Sequence, residues 1–253
     1  MEIDVGLIYK VISCIKTLRW NNPDIIYVDS NKKRQNKRFI DEVTSTFDCK
    51  WVLCESNTKL GYKYYKYHLL KMKHSLYDIL RNTSNSNKLI YSGFASPMFA
   101  AFDGYCLGDT RKYTFVDLNS SNSKPYKIEY KKKYIKRDLP EKPNSKIVNV
   151  IYSCTTDVDA SSILGDKYIF NEKSGDNVKA KYLQSIYSFT KDILDLCKDN
   201  GVERINLYIA AKQPIGFIIG TAIQSYHPTT YVYEFLEGNY LMPLIIQKGK
   251  FGD

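Results

Sequence analysis

Two short stretches carry the residue types best suited to chemistry, and that chemistry is the capture of an anion. Gly93-Phe94-Ala95-Ser96-Pro97 and Ala210-Ala211-Lys212-Gln213-Pro214 each follow an apolar run and end in proline. Proline is favoured at the first helical position, where its missing N–H would be unpaired in any case. Each stretch therefore predicts a strand that stops and a helix that starts. A helix start has backbone N–H groups without intrahelical partners and a partial positive charge, which suits a phosphate. Lys212 adds a full charge at the second turn. Two further strand ends, Ser30-Asn31-Lys32 and Ser153-Cys154-Thr155, are expected at the same carboxyl edge, where open α/β sheets bind ligands. One such turn is ordinary architecture. Two of them, in a chain of net charge +10, admit a ligand with several phosphates.

A catalytic constellation is harder to find. His68 and His74 do not fall side by side on a helix, and His227 stands far from both in sequence. The motifs HExxH, GxSxG and GxxxxGK(S/T) do not occur, and neither turn carries GxGxxG. Asp41-Glu42 followed by Cys54-Glu55-Ser56 and Lys59 has the acid and lysine of some nucleases without the rest of such a core. Cys14, Cys49, Cys54, Cys106, Cys154 and Cys197 form no CxxC pair and have no histidine at metal-ligand spacing, so they read as buried free thiols in a reducing compartment. No catalytic residue, metal or cofactor is expected.

The elements that must position the turns follow from apolar patterning. Residues 5–19 predict an amphipathic helix, 24–29 a buried strand, 39–43 a helix, 51–54 a strand and 62–82 a long helix. Strands are expected at 88–91 and 113–117. Residues 119–146 are polar, basic and proline-bearing, and alternation of Tyr126, Ile128 and Tyr130 suggests a small hairpin there. Strands at 147–152 and 167–170, a helix over 178–199, a strand at 205–209, a helix from Pro214 to Gln224, and strands at 231–235 and 244–246 complete the reading.

The order of elements repeats. Placing Pro97 on Pro214 brings Tyr91 onto Tyr208, Gly93 onto Ala210 and Asp117 onto Glu234 without a gap. Asp78-Ile79-Leu80 and Asp192-Ile193-Leu194 match in the preceding helices after a small change in loop length. Tandem strand–helix–strand units argue for an α/β fold of two Rossmann-type units with mainly parallel sheets, related by a pseudo-two-fold axis. The expected division is residues 1–118, a basic connecting segment 119–146, and residues 147–253.

Of the 253 residues, 43% are hydrophobic and 25% charged, an ordinary globular composition. No apolar run approaches the ~20 residues of a membrane helix. MEIDVGLIYK lacks the basic-then-apolar pattern of a secretory leader, so a cytoplasmic protein without membrane insertion is expected. The basic runs 32–38 and 124–137 read either as solvated faces or as a general nucleic-acid-binding surface.

The stretch INLYIAAKQPIGFIIGTAIQSYHPTTYVYEFLEGNYLMPLII, with Ala210, Ala211, Pro214, Gly220, Tyr233, Glu234 and Tyr240 at its marked positions, resembles the SAVED domain, a cyclic-oligonucleotide sensor of bacterial anti-phage signalling. Ser96-Pro97 and Asp117 form a weaker echo upstream. The resemblance implies two fused CARF-like units with a cyclic tri- or tetranucleotide between them. It also implies self-association by stacking on ligand binding, and activation of an effector. By matched position it makes Lys212, Gln213 and Pro214, preceded by Ala211, the phosphate-facing turn. Ser153, Cys154 and Thr155 join them by position, with Ser30, Asn31, Lys32, Phe94 and Ser96 at the corresponding edge of the first unit. Tyr240 becomes a wall or base-stacking residue. Family members are usually fused to an effector, and little of this chain lies outside the SAVED-like region. A separate effector protein, or a role in sequestering the ligand, is therefore expected. Slow cleavage of the bound ring, as some CARF-like sensors perform, and a nucleotide-processing enzyme stand as alternatives.

Overall fold

The computed structural model describes residues 24–29, 89–94, 96–110, 112–118, 120–121, 125–138, 140–233, 235–236, 239–240 and 243–246. The helices expected at 5–19, 39–43 and 62–82, the strand at 51–54, and Ser30, Asn31 and Lys32 lie outside them.

The chain divides into two compact units. One comprises Met1–Ala95, Thr110–Lys131 and Asp176–Ala180; the other comprises Ser96–Asp109, Lys132–Gly175 and Lys181–Asp253. The division is interleaved along the chain. A helix that follows a strand of the first unit belongs to the second, and the basic segment 119–146 is split between them.

The first unit holds a four-stranded sheet of β1 (Asp24–Asp29), β2 (Leu89–Phe94), β3 (Tyr113–Leu118) and β4 (Pro125–Tyr130), in that order. β1, β2 and β3 are parallel; β4 returns antiparallel along β3, with Phe115 opposite Ile128. The alternation expected at Tyr126, Ile128 and Tyr130 is that of this edge strand, with Lys127 and Glu129 exposed between them. Tyr91 and Tyr130 each pack edge-on against Phe115. The Ser92 hydroxyl, deep in the sheet, donates to the Val116 carbonyl at 2.8 Å. Tyr126 donates to Asp117 and accepts from the Val178 N–H.

The second unit is built on five strands in the order β11-β8-β7-β5-β6, where β5 is Ile147–Ser153, β6 Asp166–Phe170, β7 Arg204–Ala210, β8 Thr229–Tyr233 and β11 Leu244–Ile246. All neighbours are parallel except β11, which closes the edge antiparallel to β8. Leaving β6 aside, β5-β7-β8-β11 repeats the order and strand directions of β1-β2-β3-β4. This is the fold-level repeat legible in the sequence. β5 is buried on both faces after its first residue, the pattern of a strand sandwiched in a parallel sheet. A two-stranded ribbon, β9 (Phe235–Leu236) with β10 (Asn239–Tyr240), was not apparent from the sequence.

Three helices are described: α1 (Pro97–Leu107), α2 (Ala180–Asp199) and α3 (Gln213–Ala222). α2 has an apolar face of Leu183, Ile186, Ile193, Leu194 and Cys197 and an otherwise polar surface. All ten residues of α3 are buried, as are most of α1, which marks both as interior helices. Phe217, Ile218 and Ile219 are fully enclosed; each such side chain contributes about 1.5–3 kcal/mol relative to exposure.

Candidate ligand-binding site

The two proline turns meet within the second unit, because α1 and α3 pack side by side. Small residues permit the approach. A Cβ placed on Gly216 would stand 2.5 Å from the Pro97 carbonyl oxygen. One on Gly220 would collide with the Ala101 carbonyl, and one on Gly104 with that of Phe217. The matched pairs, Pro97 with Gly216 and Ala101 with Gly220, advance together along both chains. The helices are therefore parallel, and their N-termini lie together.

Two like helix ends held side by side concentrate positive potential and repel each other. Neither first turn contains an acidic residue, and neither N-cap residue, Ser96 or Lys212, makes a side-chain capping bond. Polar atoms at both ends are also left over. The Ser96 hydroxyl oxygen and the Gln213 amide nitrogen are buried and, among the described residues, have no hydrogen-bond partner; Gln213 is 8% exposed. A buried polar atom without a partner costs about 1–3 kcal/mol.

Beside the second turn lies a cavity of about 280 Å³ lined by Thr156, Asp157, Val158, Asp159, Ser162, Ala210 and Tyr240. It lies at the carboxyl ends of β5 and β7. The Cys154 and Thr155 N–H groups both donate to the Ala210 carbonyl, at 2.9 and 3.0 Å, which ties the two strand ends together. The Ser153 hydroxyl accepts from the Val158 N–H and fixes the loop that forms one wall. Asp159 is exposed, and hydrogen bonds from the Ser161 hydroxyl and N–H hold its carboxyl below the ordinary value. Asp157 pairs with Lys173. On the other side Tyr240 stands edge-on to Tyr208 at 4.8 Å, and Tyr208 stacks flat on Tyr233. The volume is just under the ~300–1,000 Å³ of pockets that enclose a whole small ligand, so the cavity suits part of a larger one.

The residues singled out in the sequence therefore fall as follows. Ser96, Ala211, Lys212, Gln213 and Pro214 are at the paired helix starts. Ser153, Cys154 and Thr155 are at the adjoining strand end, and Tyr240 is on the cavity wall. Cys154 is a backbone element of the site rather than a contact: the residue is 1% exposed, and burial pushes its thiol up to about 11. Phe94 ends β2 in the other unit. The wall residues Thr156 to Ser162 were missed. Their only signal was a polar run directly after a buried strand.

The sequence matches the SAVED family, the SMODS-associated and fused to various effectors sensor domain, over residues 72–243, well over half of the chain. The chain belongs to that family. Solved structures agree on the fold. The Acinetobacter baumannii Cap4 SAVED/CARF-domain containing receptor with the cyclic trinucleotide 2′3′3′-cAAA aligns with a TM-score of 0.60 at 13% identity, over 92% of this chain and 53% of that one. The same receptor with 3′3′3′-cAAA aligns at 0.58 and 14% identity, over 88% and 51%. The Moraxella osloensis Cap4 SAVED/CARF-domain containing receptor gives 0.52 at 13% identity, over 93% and 53%. The chain thus spans about half the length of these receptors. A comparison with curated proteins gives no match. Among the described residues no helix is long and apolar enough to cross a membrane, and no cluster of His, Cys, Asp and Glu could hold a metal ion.

Proposed function

We propose that this chain is a receptor for a cyclic oligonucleotide, a tri- or tetranucleotide, and not an enzyme acting on it. The observation that carries the reading is the convergence of two helix N-termini whose Ser96 oxygen and Gln213 amide are buried without partners, in a SAVED fold. Phosphates of the ring lie toward these ends and Lys212. A ribose or base edge lies in the cavity, where Asp157 and Asp159 accept from hydroxyl or amino groups that phosphate could not replace. Tyr240 offers its ring as a wall for a base. Binding favours an arrangement in which the chain associates with further copies of itself, or engages an effector protein, because the ligand binds that arrangement more tightly than the resting one. The relatives crystallised with cyclic trinucleotides support the ligand class. The reading places the chain in anti-phage defence inside the cytoplasm.

The test is a thermal-shift panel of cyclic di-, tri- and tetranucleotides with their linear counterparts. One ring should raise the melting temperature progressively with its concentration, logarithmically once it exceeds Kd, while its linear form leaves it unchanged. Stabilisation that grows with strand length and disappears with added salt would instead mark general nucleic-acid binding through the basic runs.

A further inference from the structure

Strands β5, β7 and β8 are neighbours in a mostly parallel sheet, and such sheets are ordinarily covered on both faces. One face here is closed: Val150, Tyr152, Leu207, Ile209 and Val232 are all buried, and Phe189 of α2 packs on Tyr152. The opposite face is more open. Strand register puts Ile147, Arg204 and Thr229 side by side on it, with Asn206 and Tyr231 one step further along β7 and β8. Ile147 is 45% exposed, and Arg204, Thr229, Tyr231 and Tyr233 are half-buried.

Arg204 is held in place on this face by three contacts. Its guanidinium lies over the Tyr231 ring, 3.9 Å from the centroid. Nε donates to Asn206 Oδ1 at 2.8 Å, and Nη2 donates to the Tyr233 hydroxyl at 2.7 Å. Asn206 is itself fixed, since its amide donates to Asn149 Oδ1 at 2.9 Å. All of these partners are neutral. Among the described residues Arg204 meets no carboxylate, and the adjacent Glu203 pairs with Lys146. Both N–H groups of Nη1 are unengaged, and Nη1 is not among the nitrogens that the fold closes off from solvent. A full charge is thus fixed in position with accessible donors left over. Ordering a long side chain in advance removes that cost from binding. Arginine and tyrosine are also the residues that most often dominate protein interfaces.

The strands place Lys167 and Arg204 on this face and no acidic residue, so two copies of this chain meeting through it would oppose like charges. Stacked bases of a nucleic acid would need open rings, whereas Tyr231 already carries Arg204 and Tyr208 lies flat on Tyr233. A carboxylate beside an apolar group answers both the guanidinium and Ile147. We propose that this face is a docking surface for a partner protein that presents an aspartate or glutamate next to an aliphatic side chain. The carboxylate accepts from Arg204 Nη1, and the aliphatic group covers Ile147. The proposal is independent of the cyclic-oligonucleotide reading: Ile147, Arg204 and Thr229 begin their strands, whereas the candidate ligand cavity lies at the carboxyl ends.

Protein-observed NMR on the full chain, titrated with N-acetyl-isoleucyl-glutamyl-isoleucinamide and with its glutaminyl counterpart, tests it. The glutamyl peptide should shift the Arg204 Nε–H and Ile147 methyl resonances at millimolar concentration. The glutaminyl peptide, of the same shape without the charge, should bind about tenfold more weakly. Arg204→Gln, with its fold intact by circular dichroism, should abolish the difference between the two peptides. Ile147→Asp changes only an exposed side chain and sets an acid beside Arg204, so it should weaken the glutamyl peptide more than the glutaminyl one. Equal binding of the two peptides, no shift at Arg204 with either, or a difference that survives in Arg204→Gln would overturn the proposal. So would an oligothymidylate that shifts the same resonances more strongly than the glutamyl peptide, which would mark the face as a nucleic-acid surface.

Discussion

Gly216 lies against the backbone of Pro97, so close that a single methyl group could not be inserted between them. Two turns far apart in the sequence are thereby brought to one place, each supplying a helix start with no acidic residue in its first turn. The contact also explains why α1 groups with the second unit although β2 and β3 on either side of it in the chain group with the first.

Because the space at this contact is filled by backbone, Gly216→Ala and Gly220→Ala should each force the helices apart. Overpacking of a close-packed core costs typically 1–3 kcal/mol. With rigid carbonyls as neighbours we expect at least about 2 kcal/mol for Gly220→Ala. Urea unfolding followed by circular dichroism measures it; an unchanged midpoint would mean that the helices do not pack as described.

Gln213→Met removes the unpartnered amide and keeps the shape. The folded chain should be at least as stable as before, since a buried polar atom without a partner is destabilising. Affinity for the cyclic oligonucleotide should nevertheless fall by about tenfold. Thermal unfolding and calorimetry on one variant separate the two effects. A loss of both stability and binding would make Gln213 a packing residue.

Lys212→Ala should weaken binding of the same ligand by ~1–3 kcal/mol, the range for a hydrogen bond to a charged group. Lys212→Arg, which keeps the charge, should recover most of the loss. Calorimetry showing equal affinities for all three chains would remove Lys212 from the site.

A pH dependence follows from His227, whose side chain is fully buried. Its Nδ1 accepts from the Gln224 N–H, so the proton sits on Nε2 facing Asp195 at 3.0 Å. Burial holds its pKa below the usual 6.5, against the pull of Asp195. As pH falls through 6.5 the unfolded chain binds a proton that the folded chain does not, so this group's contribution to stability falls with it. Asp195, held below the usual 3.8 by Lys191 and His227 although burial opposes them, keeps its charge throughout that window. The urea midpoint should therefore drop between about pH 7 and pH 5, and His227→Gln should flatten that slope. Identical slopes in the two proteins would contradict the assignment.

Much of the second unit was legible because its central strands, β5 and β7, are mainly apolar runs, interrupted at Asn149 and Asn206. Ile147–Tyr152, Ile205–Ile209 and Tyr231–Val232 carry their burial in their composition, and Pro214 marks its helix by geometry alone. Lys212 and Gln213 could be singled out from the turn that Pro214 marks, whereas Tyr240 was singled out only by the family likeness. What was not legible depends on partners that only the folded chain supplies. The small residues Gly104, Gly216 and Gly220 were visible, but nothing in their spacing said that they face one another. The β9–β10 ribbon pairs only Phe235 with Tyr240 and Leu236 with Asn239, too short for any period to show. The loop Thr156–Ser162 becomes a cavity wall through bonds that its sequence does not announce: Ser153 accepts from the Val158 N–H, and Ala210 accepts from the two N–H groups that precede the loop. The grouping of α1 with α3 rests on a contact between residues more than a hundred positions apart, which no local pattern shows.

The central claim is that the paired starts of α1 and α3 are completed by a phosphate of the ligand. A crystal structure of the chain with whichever cyclic oligonucleotide stabilises it tests this directly. The account predicts a phosphate oxygen within hydrogen-bond distance of both the Ser96 hydroxyl and the Gln213 amide nitrogen, with a base or ribose against Tyr240. A ring bound elsewhere, with those two atoms still without partners, would contradict it.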